Sequence, residues 1–296
     1  QAWLALFSFP LMTAIQEMCG RIGLVTGKGL AGVIRKHYSK KLLYSSVFLL
    51  FVANTINIGA DLGAMAASAQ LVLNLPIIFW LVIMVATTLA LELFVSYKTY
   101  SKYLKFLGLA LFSYIFTAFA VKIDWGEVLL STLVPHIELN KAYALNIVAI
   151  LGTTISPYLF FWQAGEEVEE EVAENKLTAM GVGTPNISKG DIKKLSIDTI
   201  SGMFFSNIIM FFIIVTTGAT LFKNGITNIG SAEDAALALK PFAGDFAFLV
   251  FALGIIGTGL LALPVLAGSA SYAISEAFGW REGLSQKFKR AHGFYG

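Results

Sequence analysis

Seven long apolar stretches alternate with short polar or basic segments along this 296-residue chain. They lie at 1–20, 43–72, 77–97, 103–122, 143–165, 197–222 and 246–275. A bilayer core of about 30 Å is crossed by roughly 20 apolar residues in a helix. The stretches are longer than transmembrane β-strands and lack their alternation of apolar and polar positions, so they predict helices. The pattern predicts an all-α polytopic membrane protein in which residues 1–296 form a single transmembrane domain.

The composition agrees with a membrane protein. Hydrophobic residues make up 56% of the chain and charged residues only 14%, against about 25% charged residues in a soluble domain. The single cysteine, Cys19, excludes an internal disulfide framework. No basic block suggests nucleic acid, no Walker motif suggests a nucleotide-driven pump, and no convergent catalytic set suggests an enzyme. We therefore expect no nucleic-acid partner, no obligate protein partner and no resident cofactor.

The distribution of Lys and Arg predicts the orientation in the membrane. Seventeen of the 21 lie on one side of the predicted membrane and four on the other. The positive-inside rule then makes four segments cytoplasmic, at 23–42, 98–105, 166–196 and 276–296. The basic, glycine-rich segment 23–38 is expected to form a short amphipathic helix on the inner surface. We expect an integral protein of a bacterial inner membrane, cut at both ends from a longer chain.

The span at 143–165 is interrupted at its middle. The interrupting residues are Gly152, Thr153, Thr154, Ser156 and Pro157. Proline removes a backbone donor and clashes with the preceding turn, and broken backbone at bilayer depth is tolerated where it lines protein or a wet cavity. In secondary transporters such breaks line the substrate site. We expect unwinding around Thr153–Pro157; the alternative is a kinked helix packed by small residues.

Carboxylates lie within and below the predicted bundle. Asp61 falls well inside the span at 43–72, where a carboxylate usually faces the bundle interior and acts on ions or protons; the alternative is a structural carboxylate bonded to a neighbouring helix. The broken helix continues into the cytosol with Glu166, Glu167, Glu169, Glu170, Glu171 and Glu174. Such a run is usually a solvated helix face, but here it could form a negative vestibule that concentrates cations.

Several segments carry a resemblance to one family. They are EMCGRIGLVTGKGLAGVIRKHY, ADLGAMAASAQLVLNLP and FALGIIGTGLLALPVLAGSASYAISEAFGW. The first resembles the end of the second helix and the following inner loop of the NRAMP divalent-metal transporters, and the others resemble the third and eighth helices. The segment GTTISPYLFFWQ lies where the sixth helix of the family is broken. The resemblance covers essentially the whole chain and implies a LeuT-like inverted-repeat bundle, truncated at both ends.

The resemblance also implies a metal site at the break, with changed ligands. Ser156 stands where the family has a metal-binding methionine, and Thr153 stands at the alanine whose carbonyl contacts the metal. A thioether selects soft transition metals, whereas hydroxyl and carbonyl oxygens suit Mg²⁺, Ca²⁺ and Mn²⁺. In this respect the chain is similar to the NRAMP-related magnesium transporter branch, which also lacks the methionine.

Titratable groups of the family pattern are missing as well. Tyr158 and Gln163 replace two histidines, and Ala64 replaces a glutamate, while Asp61 is kept. Groups that could relay protons are therefore fewer than in the family, which puts proton coupling in doubt.

The sequence thus predicts secondary transport of divalent cations, Mg²⁺ or Mn²⁺, by alternating access, with the cation as substrate. Thr153 and Ser156 are the candidate metal ligands. The candidates for the pathway or its gating are Asp61, Tyr158, Gln163, Glu166 and Glu167. The alternative is an amino-acid or other organic-solute carrier of the same fold, in which half-helix N-termini would hold a substrate carboxylate.

Overall fold

The computed structural model describes residues 1–94, 112–284, 286 and 291–295. Its helices are α1 (Trp3–Thr26), α2 (Leu30–His37), α3 (Lys40–Val72), α4 (Ile77–Phe94), α5 (Phe112–Ala120), α6 (Trp125–Leu133), α7 (Lys141–Thr154), α8 (Pro157–Ala173), α9 (Lys189–Thr220), α10 (Ala232–Phe278) and α11 (His292–Tyr295). Within the described ranges there is no β-strand, only an isolated bridge between Ala179 and Val182. The all-α class predicted from the hydrophobic pattern is confirmed.

Four helical stretches of the described residues are long and apolar enough to cross a membrane. They are Lys40–Val72, Lys141–Ala173, Lys189–Asn224 and Ala252–Phe278, the second being α7 and α8 taken together. A shorter apolar helix covers Ile77–Leu91. The predicted first span, 1–20, corresponds to α1, which continues to Thr26.

Two predictions fall partly or wholly outside the described residues. Only Phe112–Ala120 of the predicted span 103–122 lies within the helices described, and the predicted cytoplasmic loop 98–105 lies outside the described part of the chain. The count of seven spans therefore stays a prediction.

Local capping explains where several helices begin and end. The Ser39 hydroxyl accepts a hydrogen bond from the Leu42 N–H at the start of α3, and Ser188 and Asp191 form a reciprocal capping box at the start of α9. Both arrangements satisfy N–H groups that have no partner inside the helix. Helix α1 ends at Gly27, whose φ of 62° is left-handed and favours glycine. The helix ends at Gly27 and Ser39 keep the connections on either side of α2 short.

The helices pack through two main contacts. Helices α3 and α10 form the most extensive interface, and α1 packs against α8 and α9. A buried cluster that includes Leu43, Val47 and Phe161 joins α3 to α8 and α10. Helix α1 approaches α8 so closely that a Cβ atom at Gly23 would lie 2.4 Å from the Ala164 carbonyl oxygen. A glycine is required at this crossing because no side chain fits there.

The segments predicted to lie on opposite sides of the membrane meet at opposite ends of α1. At the C-terminal end of α1, the Gly181 N–H donates to the Gly27 carbonyl at 2.7 Å. At its N-terminal end, the Trp3 indole N–H donates to the Tyr143 hydroxyl at 3.3 Å. A 24-residue helix is about 36 Å long, so the two groups of segments are about one bilayer thickness apart. This separation agrees with the predicted alternation of inner and outer loops.

Candidate functional site

The helix break predicted near Thr153–Pro157 is confirmed and is confined to two residues. Helix α7 ends at Thr154 and α8 begins at Pro157. Between them Ile155 has φ −104° and ψ 68°, and Ser156 has φ −95° and ψ 125°. Neither pair is helical. Proline disfavours the helical conformation in the residue before it and starts a helix well, because its missing N–H is not needed in the first turn.

Side-chain hydroxyls take up the carbonyl groups that the break would otherwise leave free. The Ser156 hydroxyl lies 2.8 Å from the Gly152 carbonyl oxygen and 2.9 Å from that of Thr153. The hydroxyls of Thr153 and Thr154 each donate to the Ile150 carbonyl at 2.9 Å. The carbonyls of Gly152 and Thr153, which the break leaves without a helical N–H partner, are thus bonded by a local side chain. A carbonyl oxygen has two lone pairs, so each of these two can still accept from a water or bind a cation.

The two candidate metal ligands differ in accessibility. Thr153 is exposed on the described surface, whereas the side chain of Ser156 is only 3% exposed. Thr153 can therefore meet a hydrated ion directly. Contact with Ser156 needs an opening of the packing around it, such as a rearrangement of the broken segment.

Asp61 lies on α3 beside the start of α8. It is half-buried, and its carboxylate is close enough to the Tyr158 phenol for its charge to act on that group. Asp61 makes no hydrogen bond or ion pair with any residue in the described part of the chain. An unpaired carboxylate inside a span favours the functional interpretation over the structural one. The structure therefore brings together Asp61, Tyr158 and Ser156, three of the residues selected from the sequence.

Gln163 belongs to a polar layer one to two turns below the break. Its amide nitrogen donates to a Glu167 carboxylate oxygen at 2.7 Å, and its oxygen accepts from the Gln16 amide at 3.2 Å. Gln16 also donates to the Leu159 carbonyl at 3.2 Å. Gln16 is buried on α1 and was missed by the sequence interpretation, although a glutamine in an apolar run was a usable signal. The layer ties α1 to α8 directly below the break.

The acidic run lines a small vestibule. Six carboxylates and two lysines surround a cavity of about 30 Å³, namely Glu167, Glu170, Glu171, Glu174, Asp191, Asp198, Lys176 and Lys194. That volume is about enough for one water. Glu166 and Glu167 are half-buried, and Glu171 is only 2% exposed. The run is therefore more than a solvated helix face, and the excess of carboxylates makes the vestibule negative.

Lys176 partly neutralises this vestibule. Its ammonium group lies 2.6 Å from carboxylate oxygens of both Glu174 and Asp191. The hydrogen bonds that Lys176 donates to Asp191 and Glu174 raise the pKa of Lys176, and the hydrogen bond that Glu174 accepts from Lys176 lowers the pKa of Glu174. These groups remain charged at neutral pH, and the lysine holds the loop after α8 against α9.

Two further contacts frame the site. Glu17 and Arg21, which are four residues apart on α1, form an ion pair with a 2.6 Å contact. Asn54, a buried residue of α3 that was missed by the sequence interpretation, donates to the Leu266 carbonyl at 2.9 Å and to the Ser269 hydroxyl at 2.7 Å. These bonds join α3 to α10 two helical turns from Asp61.

No group of three or more His, Cys, Asp or Glu side chains within the described residues could hold a metal ion.

A bundle of membrane-length helices, one of them broken beside a half-buried carboxylate, defines an α-helical integral membrane protein with the architecture of a secondary transporter core. A family model described as Nramp, natural resistance-associated macrophage protein-like, matches residues 2–294. The chain belongs to the Nramp family. Membership confirms the resemblance and the LeuT-like fold class expected from it.

Three relatives show how far the similarity extends. The divalent metal cation transporter MntH of Caldanaerobacter subterraneus subsp. tengcongensis is 25% identical over 263 residues, which cover 87% of this chain and 59% of that protein. MntH of Listeria monocytogenes serovar 1/2a is 24% identical, with 86% and 56% covered. MntH of Nostoc sp. is 25% identical, with 86% and 59% covered. The chain spans little more than half the length of these relatives.

Proposed function

We propose that the full-length protein transports divalent metal cations across a membrane and that the break at Ile155–Ser156 lies on the path of the cation. The observation that carries the proposal is the juxtaposition of the broken helix with Asp61, a half-buried carboxylate that has no described hydrogen-bond or ion-pair partner. The printed names of the relatives support the same class of cargo. The cation is a substrate, and we expect no catalytic activity.

The ligand chemistry favours Mg²⁺ or Mn²⁺ over soft metals. Thr153 and Ser156 offer hydroxyl and carbonyl oxygens, which suit hard cations. Mg²⁺ keeps several of its waters and needs few protein ligands. That requirement fits the break, because the part of the chain that the structure describes contains no group of three or more His, Cys, Asp or Glu side chains that could hold a metal ion. Asp61 would supply the negative charge that attracts the hydrated ion.

Alternating access would expose this site to each side in turn. The two-residue connection between α7 and α8 gives the half-helices a point at which to pivot. The layer of Gln16, Gln163 and Glu167 would close the path on the inner side, and the vestibule beyond it would receive the ion. Because Tyr158 and Gln163 do not titrate near neutral pH, we propose transport without stoichiometric proton entry.

Metal flux into proteoliposomes with a pH dye inside tests this function. Wild-type full-length protein should move Mg²⁺ or Mn²⁺ with little preference for Cd²⁺ and without acidifying the lumen. Ser156→Met should shift the preference toward Cd²⁺ and Fe²⁺, since a thioether binds soft ions.

Asp61→Asn provides the second variant, since it removes the charge and keeps the size. It should lower the flux at least about tenfold, because it removes the carboxylate charge beside the break. Selective Cd²⁺ uptake coupled to protons would contradict the proposed selectivity. Uptake of an amino acid in place of any metal would support the organic-solute alternative.

We also propose that the protein lies in a bacterial inner membrane with segments 23–42, 98–105, 166–196 and 276–296 in the cytoplasm. The bacterial origin of the relatives supports the membrane, and the distribution of Lys and Arg supports the orientation. A cysteine introduced at Gly190 of the cysteine-free variant Cys19→Ala should resist impermeant maleimides in intact cells and react after permeabilisation. Labelling from outside would reverse the orientation.

A further inference from the structure

A second, larger cavity lies away from the break, where three predicted cytoplasmic segments meet. It has a volume of about 760 Å³ and is lined by residues of α2, the loop at 178–182 and the chain after α10. It shares no lining residue with the acidic vestibule. Four cationic side chains, Lys28, Arg35, Lys36 and Arg281, line it together with two carboxyl groups, Glu276 and Glu282.

The two carboxyl groups offset the four cations only in part. Glu276 is 7% exposed and accepts a hydrogen bond from the Gly32 N–H at 3.0 Å. It is also bonded by the backbone N–H groups of Gly29 and Ala31, so its carboxyl group is held at the N-terminus of α2. Burial, followed by the charges of Glu276 and Glu169, raises the pKa of Glu282, which favours the neutral acid form of this side chain.

The cations have donors to spare. Arg35 donates through one guanidinium nitrogen to the Glu276 backbone carbonyl at 3.2 Å. This bond fixes the position of the guanidinium group, and the structure describes no hydrogen bond from its other N–H groups. Lys36 and Arg281 are exposed, and neither forms a hydrogen bond or ion pair with any residue that the structure describes. Four cationic groups against two carboxyl groups leave the cavity with a net positive charge, which attracts an anion.

We propose that this cavity binds a phosphate-bearing anion, either the headgroup of an acidic phospholipid or a soluble phosphate compound of the cytosol. A phosphate group presents several acceptor oxygens and matches the planar fork of arginine in a bidentate manner. Lysine ammonium groups complete its neutralisation as point charges. The neutral acid of Glu282 adds a hydrogen-bond donor. The inference does not depend on metal transport, because the cavity and the break share no residue.

Two probes distinguish the sources of the phosphate. Detergent-solubilised full-length protein is titrated with inorganic pyrophosphate by calorimetry, and native mass spectrometry counts bound phosphatidic acid against phosphatidylcholine. The test variant is the pair Lys36→Gln and Arg281→Gln, whose exposed side chains hold no described contact. The matched control is the pair Lys40→Gln and Lys41→Gln, which removes the same charge from exposed positions outside the cavity.

Wild-type protein should bind at least one of the two probes saturably at a single site. The test variant should bind that probe at least about tenfold more weakly, because it has lost charge-assisted hydrogen bonds. The control should keep wild-type affinity. Saturable binding of phosphatidic acid alone would identify a lipid headgroup, and binding of pyrophosphate alone a soluble ligand. No saturable binding of either probe, or equal weakening in both variants, would overturn the proposal. Unchanged unfolding midpoints establish that both variants fold.

Discussion

The hydroxyl of Ser156 offers the sharpest test of how the break is stabilised. Ser156→Ala removes an oxygen that lies within 2.9 Å of two α7 carbonyls, those of Gly152 and Thr153, at a position that is 3% exposed. A hydroxyl has one proton, so one hydrogen bond is lost at a time and not two. Because Ser156 is buried, its oxygen is not readily replaced by water, and a carbonyl that loses its donor in this way costs about 1–3 kcal/mol.

The matched control is Thr153→Ala on the same turn. The Thr153 hydroxyl also bonds a backbone carbonyl, that of Ile150 at 2.9 Å, but this carbonyl accepts from the Thr154 hydroxyl as well, at 2.9 Å. Removal of the exposed Thr153 hydroxyl should therefore cost less than about 0.5 kcal/mol, as for most surface substitutions. The difference between the two variants isolates the cost of leaving a carbonyl at the break without its donor.

Equilibrium unfolding of the full-length protein in mixed detergent micelles measures this difference. Ser156→Ala should lower the unfolding free energy clearly more than Thr153→Ala does. Ser156→Cys keeps the size and a weak donor, so it should recover part of the loss. It should also shift metal preference toward Cd²⁺, because its sulfur is a soft ligand. If Ser156→Ala and Thr153→Ala were equally stable, the hydroxyl would not be what satisfies the break.

Two further predictions concern packing and pH. Gly23→Ala should destabilise the protein by about 1–3 kcal/mol in the same unfolding assay, because the new Cβ would lie 2.4 Å from the Ala164 carbonyl oxygen. Gly63→Ala is the control, since nothing lies within 4 Å of its Cβ position, and it should be neutral or stabilising. The pKa of Glu282, raised by burial to about 9, gives a contribution to stability that is complete below the unfolded value of 4.5 and is lost as the pH rises through about 9. Unfolding midpoints at pH 6 and pH 9 should therefore differ less in Glu282→Gln than in wild type, and an unchanged difference would show that Glu282 ionises normally in the folded protein.

The break was predictable because its causes are local. Pro157 cannot continue a helix that precedes it, and the serine and threonines beside it can bond freed carbonyls without any help from distant residues. Periodicity and length placed the membrane-length helices for a similar reason, since the bilayer imposes one requirement on every span. The Glu17–Arg21 pair is local in the same sense, because it needs only the geometry of one helix.

The partners of the polar side chains were not predictable. Gln16 and Gln163 are 147 positions apart in the chain, and Asn54 and Ser269 are 215 apart. A lone amide in an apolar run signals that some partner exists, but it carries no information about which helix provides it. The cationic cavity has the same origin, because Lys36 and Arg281 come from segments separated by most of the chain.

By itself, the sequence determined that this is a helical membrane protein of the Nramp family with one span broken before Pro157, because these properties follow from hydrophobic length, backbone chemistry and local motifs. Only the tertiary structure decided that Asp61 lies beside the break without a partner among the described residues, that Ser156 is buried while Thr153 is exposed, and that four cations share one cavity. Burial and pairing are properties of the space between helices. That space is set by the simultaneous packing of side chains from distant segments, at crossings such as Gly23 with Ala164.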